Sequence, residues 1–146
     1  MTKKNNIKIQ KGDIIDSEMQ TIVFPINCTV STGISPYFRK IYPKMQNYYD
    51  HICKHKLLDK GILWLYNADR WLLGFPTKEG NRGKDNIDYV TAGLDKLVDK
   101  YKEKGITSIA IPLFDCGKNK KEEVMKLMTE KLSQLDIPVE IWTKTE

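Results

Sequence analysis

Thr21-Ile22-Val23-Phe24-Pro25-Ile26 is an unbroken apolar run that stops at Asn27-Cys28 and gives way to the loop Thr29-Val30-Ser31-Thr32-Gly33. A run without alternation marks a strand covered on both faces, as in sheets flanked by helices. A second stretch repeats the pattern: Ser108-Ile109-Ala110-Ile111-Pro112-Leu113 runs straight into Phe114-Asp115-Cys116-Gly117-Lys118-Asn119. Upstream, Ile7-Lys8-Ile9 alternates as a short opening strand, interrupted at Gly12-Asp13. Downstream of the first run, Tyr37, Phe38, Ile41, Met45, Tyr48, Tyr49 and Ile52 recur at spacings of three and four. This predicts an amphipathic helix with one apolar face, broken near Pro43.

Ile62–Tyr66 and Trp71–Phe75 read as two strands joined by the turn Asn67-Ala68-Asp69-Arg70, with a polar stretch from Pro76 to Asn86 after them. Ile87, Val90, Leu94, Leu97, Val98 and Tyr101 then share a helix face closed by Gly105. Val124, Leu127, Met128, Leu132 and Leu135 share another, and Pro138–Trp142 is a last strand. The series strand, helix, hairpin, helix, strand, helix, strand predicts an α/β sheet covered on both faces.

The chain has 146 residues, 40% hydrophobic and 29% charged, with no repeat, linker or low-complexity segment, so residues 1–146 are read as a single domain. That composition excludes collagen-like, disordered and disulfide-scaffold classes. Three cysteines, Cys28, Cys53 and Cys116, form no CxxC pair. No apolar run is long enough to span a membrane and the N-terminus lacks a signal-peptide core, so a cytoplasmic protein is expected. The net charge of +5 permits phosphate-bearing partners, and Lys118, Lys120 and Lys121 are equally readable as a guide for nucleic acid or as a solvated helix start.

Ligands of such sheets gather beyond the carboxyl ends of the strands. The two strand-to-loop junctions, Asn27–Ser35 and Phe114–Asn119, are therefore the candidate site. Each turn offers backbone N–H groups beside a helix start, and two together could clamp a pyrophosphate. His51, Cys53 and His55 lie on one helix but make an incomplete metal set, so no metal is expected. Cys28 and Cys116 read as small fillers beside the cleft, and Trp64, Trp71 and Trp142 as strand packing.

Several of these segments together resemble the macrodomain family. They are Gly12-Asp13-Ile14, Pro25-Ile26-Asn27-Cys28, Gly33-Ile34 ahead of Phe38–Pro43, Phe75-Pro76-Thr77-Lys78, Ala92-Gly93-Leu94, and Ile109–Pro112 followed by Cys116-Gly117. The resemblance covers about residues 7 to 142 and is strongest to the branch of the DarG antitoxins, with the terminal ADP-ribose glycohydrolase more distant. It implies a three-layer α/β/α sandwich with a central mixed sheet that binds ADP-ribose at the carboxyl end of the sheet. On that reading Asp13 meets the adenine amino group with Ile14 beside it, and Asn27 lies near the distal ribose. Ser31, Thr32, Gly33 and Ile34, with Phe114, Asp115, Cys116, Gly117, Lys118 and Asn119, hold the diphosphate and ribose. Thr77-Lys78 brings the branch's catalytic lysine to the anomeric carbon, where an amine could attack or an ammonium could stabilise the leaving group.

The sequence departs from the family in three places. Ser31-Thr32-Gly33 replaces a longer, glycine-rich loop; Glu79-Gly80-Asn81-Arg82 keeps an arginine but loses an aromatic pair; and Asp115 and Asn119 stand where a glycine and an aspartate are usual. The resemblance implies a hydrolase that removes ADP-ribose from modified DNA or protein, with no cofactor and with an ADP-ribosyltransferase toxin as a possible partner. A non-catalytic reader or sponge for ADP-ribose or a related nucleotide signal is the alternative. A plain nucleic-acid-binding domain rests on the charge alone.

Overall fold

The computed structural model describes residues 6–27, 36–78 and 84–144. The apolar run is strand β2 (Thr21–Asn27), and its side chains divide between two cores as period-two alternation requires. Ile22, Phe24 and Ile26 enter one core and Val23 enters the other. Around it stand β1 (Ile7–Lys11), β3 (Trp64–Asn67), β4 (Trp71–Lys78), β5 (Ile109–Pro112) and β6 (Val139–Thr143), in the order β1-β6-β5-β2-β4-β3. All neighbours are parallel except β3 and β4, which form an antiparallel hairpin, so the sheet is mixed.

Helices cover both faces. On one, α1 (Pro36–Ile41) and α2 (Pro43–Lys54) pack Phe38, Met45, Tyr49 and Cys53 over Ile22, Phe24, Ile26 and Leu72, with Ile14, Ile15 and Met19 extending the cover. On the other, α3 (Ile87–Lys100) and α4 (Lys121–Leu132) pack Val90, Leu94, Leu97, Val124, Met128 and Leu132 over Val23, Leu73, Phe75, Ile109, Ile111 and Ile141. The connection after β2 leads toward β3 and β4, whereas those after β4 and β5 lead the opposite way to β5 and β6. Right-handed crossovers running in opposite directions must lie on opposite faces, which yields the expected three layers.

Several boundaries differ from the sequence reading. The hairpin strands are 64–67 and 71–78 rather than 62–66 and 71–75, so Pro76-Thr77-Lys78 belongs to β4 and not to a polar loop. Continuous pairing with β2 holds them there. The helix over 36–54 breaks at Tyr42, ahead of Pro43, and its buried stripe in α2 is Met45, Tyr49 and Cys53. Ile41 and Tyr48 fall off that stripe, and Tyr48 is 60% exposed with its ring 5.5 Å from that of Tyr66. Trp71 is also partly exposed, at the start of β4.

Candidate functional site

Asp13, Asn27, Thr77-Lys78 and Phe114–Asn119 follow the carboxyl ends of β1, β2, β4 and β5, which point the same way, so these segments meet at one end of the sheet. β2 pairs with β4 along its whole length but with β5 only at Thr21 and Ile22. Beyond Ile22 the two strands are no longer paired, and the connections diverge here, which marks the candidate crevice of such a sheet. Exposed Pro25 carries no N–H, so this unpaired margin has one donor fewer to satisfy.

Each wall of the crevice is fixed from behind. Asn27 is buried, and the Tyr49 hydroxyl of α2 donates to its main-chain oxygen at 2.8 Å and lies 3.3 Å from its Oδ1. On the other side of β2, its register with β4 slips by one residue, so that Ile26 pairs with Pro76 and Asn27 with Lys78, leaving Thr77 as a bulge. A bulge re-aims the side chains that follow it. Thr77 is buried, with its hydroxyl 3.4 Å from Ile26 O and also on the carboxylate of Asp85. A hydroxyl has one proton, and the carboxylate is the better acceptor.

The loop after β5 is built on Asp115 and Gly117. Gly117 has φ 112° and ψ 154°, a conformation open only to glycine. Its N–H donates to Asp115 Oδ1 at 3.0 Å, and Lys84 pairs with Oδ2 at 3.0 Å. Lys84 and then the Gly117 N–H hold the Asp115 carboxyl below its ordinary value. The negative charge that Asp115 brings to the loop is thus engaged by Lys84. Half-buried Cys116 has its thiol pushed up to about 11, chiefly by burial and then by Asp85 and Asp115, which keeps it protonated and poorly nucleophilic. Phe114 is core, its ring 4.7 Å from that of Phe75. Lys118 and Asn119 are exposed.

After edge strand β1, Asp13 turns back on its own chain, its Oδ1 accepting from Ile15 N–H at 3.1 Å. Arg70, from the hairpin turn, secures the segment that follows by donating to Ser17 O and Met19 O at 2.7 Å each.

No family model matches the chain. A DNA ADP-ribosyl transferase–DNA ADP-ribosyl glycohydrolase fusion protein of Thermosipho africanus is 29% identical over 97% of this chain and 42% of its own length. The structure of Thermosipho africanus DarTG in complex with ADP-ribose superposes with a TM-score of 0.86, at 28% identity over 98% of this chain and 43% of that one. The macrodomain of Thermus aquaticus DarG superposes at 0.83, with 26% identity over 96% of this chain and 98% of that one. The chain has the macrodomain fold. It spans less than half the length of the curated relatives it matches.

Of the residues that the resemblance assigns to the site, Asp13, Ile14, Asn27, Thr77, Lys78 and Phe114–Asn119 all lie at or just beyond the same end of the sheet. Ser31, Thr32, Gly33 and Ile34 lie outside the described residues, as do Cys28 and Glu79–Arg82. The His51 and His55 rings lie 4.3 Å apart, tilted by 51°, and among the described residues no group of three His, Cys, Asp or Glu could hold a metal. No helix among the described residues is long and apolar enough to cross a membrane.

Sequence reading missed two contributors. Tyr49 was legible as core but not as the anchor of Asn27. Asp85 sits inside what read as a polar stretch, and its one signal is an acidic residue directly ahead of Asn86, which caps α3 by accepting from Asp88 N–H at 2.8 Å.

Proposed function

We propose that this macrodomain removes ADP-ribose from a modified macromolecule, DNA in the first instance, with Lys78 acting at the anomeric carbon. The observation that carries the reading is the pairing of Lys78 with Asn27 at the carboxyl ends of β4 and β2, beside the margin where β2 and β5 part. The names of the DNA ADP-ribosyl glycohydrolase relatives point to the same reaction. Asp13 and Ile14 would take the adenine, Asn27 the distal ribose, and the Asp115–Asn119 loop the diphosphate. A DNA-directed ADP-ribosyltransferase is the matching partner, since the Thermosipho relative carries both activities in one chain by its name.

In the net reaction the bond from the anomeric carbon to the base or carboxylate breaks, water supplies a hydroxyl to the carbon, and the leaving group takes the proton. Lys78 can stabilise the departing group as a cation, or form a transient nitrogen–carbon bond that water then replaces. Borohydride trapping separates the two, because only the second route leaves ADP-ribose reduced onto Lys78.

The deciding experiment measures ADP-ribose release from an ADP-ribosylated single-stranded oligonucleotide. Wild type should release it, and Lys78→Ala should lose at least ~100-fold in kcat while binding ADP-ribose within about threefold of wild type. Equal turnover by the variant would refute the role of Lys78. Tight binding without turnover on DNA or protein linkages would leave a reader of ADP-ribose.

A further inference from the structure

Asn86 already caps α3, so the helix entry has no need of a second polar side chain at position 85. Burial pushes the Asp85 carboxyl up from its ordinary value, against hydrogen bonds from Thr77 and the Asp115 N–H and against the charge of Lys78. A carboxylate held in this way is costly unless its partners matter. Those partners belong to the end of β4 and to the loop after β5, the two strands that flank β2. Asp85 N–H donates to Asp115 O at 2.8 Å, and Asp115 N–H donates back to Asp85 Oδ2 at 3.1 Å, a reciprocal pair. Next to it, Asn86 N–H donates to Thr77 O at 2.7 Å, and the Thr77 hydroxyl reaches the Asp85 carboxylate. Asp115 in turn accepts from Gly117 N–H at its side-chain Oδ1.

We infer that Asp85 is a positioning residue of this site, tying the bulged end of β4 that carries Lys78 to the Asp115–Gly117 loop and setting a negative charge against Lys78. The inference rests on the reading of Lys78 given above. Asp85 does two separable things. As an acceptor for Asp115 N–H and Thr77 it holds the loop; as an anion it acts on Lys78. The charged and titratable groups around it are Lys78 from β4, Asp115 and Cys116 from the loop after β5, and Lys84 from its own segment.

Asp85→Asn keeps the acceptor and removes the charge, whereas Asp85→Ala removes both. Asp85→Asn should bind ADP-ribose within about threefold of wild type yet lose at least ~10-fold in kcat for release from the oligonucleotide, and Asp85→Ala should also weaken ADP-ribose binding by about tenfold. A purely structural link predicts wild-type kcat for Asp85→Asn, and that result would overturn the proposal. A second readout does not depend on turnover: the carbon-13 carboxyl titration of Asp85 should move to higher pH in Lys78→Met. An unmoved midpoint would overturn the coupling even if wild type proved inactive. Absence of release by wild type, with the midpoint moved, would refute the hydrolase reading and leave the Asp85–Lys78 coupling standing.

Discussion

Asp85 bears its charge against its own loss of hydration, and this has a thermodynamic consequence apart from catalysis. Its folded-state pKa lies above the unfolded value, so the native state binds the proton more tightly. The stability this contributes is fully present below the ordinary carboxylate range and is lost as pH rises through the raised value. Asparagine does not titrate. The melting temperature of Asp85→Asn relative to wild type should therefore be more favourable at pH 7 than at pH 4, and a constant difference would contradict the shift. Cys116 offers a second test. With its thiol at about 11 against an ordinary 9.0, its thiolate fraction at pH 8 is about a hundredfold smaller. Peptide-resolved iodoacetamide labelling should find it slower than a free thiol by about that factor. Cysteine burial and the adjacent Asp115 were legible from sequence, but the approach of Asp85 to Cys116 was not, because Asp85 lies 31 residues away along the chain.

Among the elements, α3 packs tightly on β4 at Gly93. A Cβ on Gly93 would lie 2.3 Å from Phe75 Cζ, so the helix reaches the strand only because residue 93 lacks a side chain. Phe75 stands two residues before Thr77, which makes this contact a support for the site's wall. Gly93→Ala should cost about 1–3 kcal/mol by overpacking, measured by urea unfolding, and Phe75→Leu in the same chain should recover part of it. Element type was legible throughout, because apolar runs and three-four spacings survive in one dimension. The end of β4 was not. Pro76-Thr77-Lys78 is polar and breaker-like by composition, and it is a strand only because β2 runs beside it. Tyr48 was misread for a similar reason: the break at Tyr42 resets the helix phase, leaving its ring on the flank beside Tyr66.

For the whole molecule, the net charge of +5 and the crevice make different predictions. A nucleic-acid substrate held partly by phosphate contacts releases counterions, whereas a nucleotide held in a crevice depends far less on salt. The KM for an ADP-ribosylated oligonucleotide should rise several-fold between about 50 and 200 mM salt, while inhibition by free ADP-ribose changes by less than about twofold. Parallel dependence of both would place all recognition in the nucleotide site and leave the positive surface as a solubility feature.

The sequence by itself determined an α/β sheet with buried central strands, and singled out the glycine-containing turns at their ends as the place to expect chemistry. Hydrophobic periodicity and turn chemistry are local, so residue order records them. Only the tertiary structure decided that β2 and β5 separate after Ile22, that a bulge at Thr77 sets Lys78 opposite Asn27, and that Asp85 closes on Asp115. These are relations between segments distant in sequence. Strand register and the hydrogen-bonding needs of buried polar groups fix them, and neither exists until the sheet has formed.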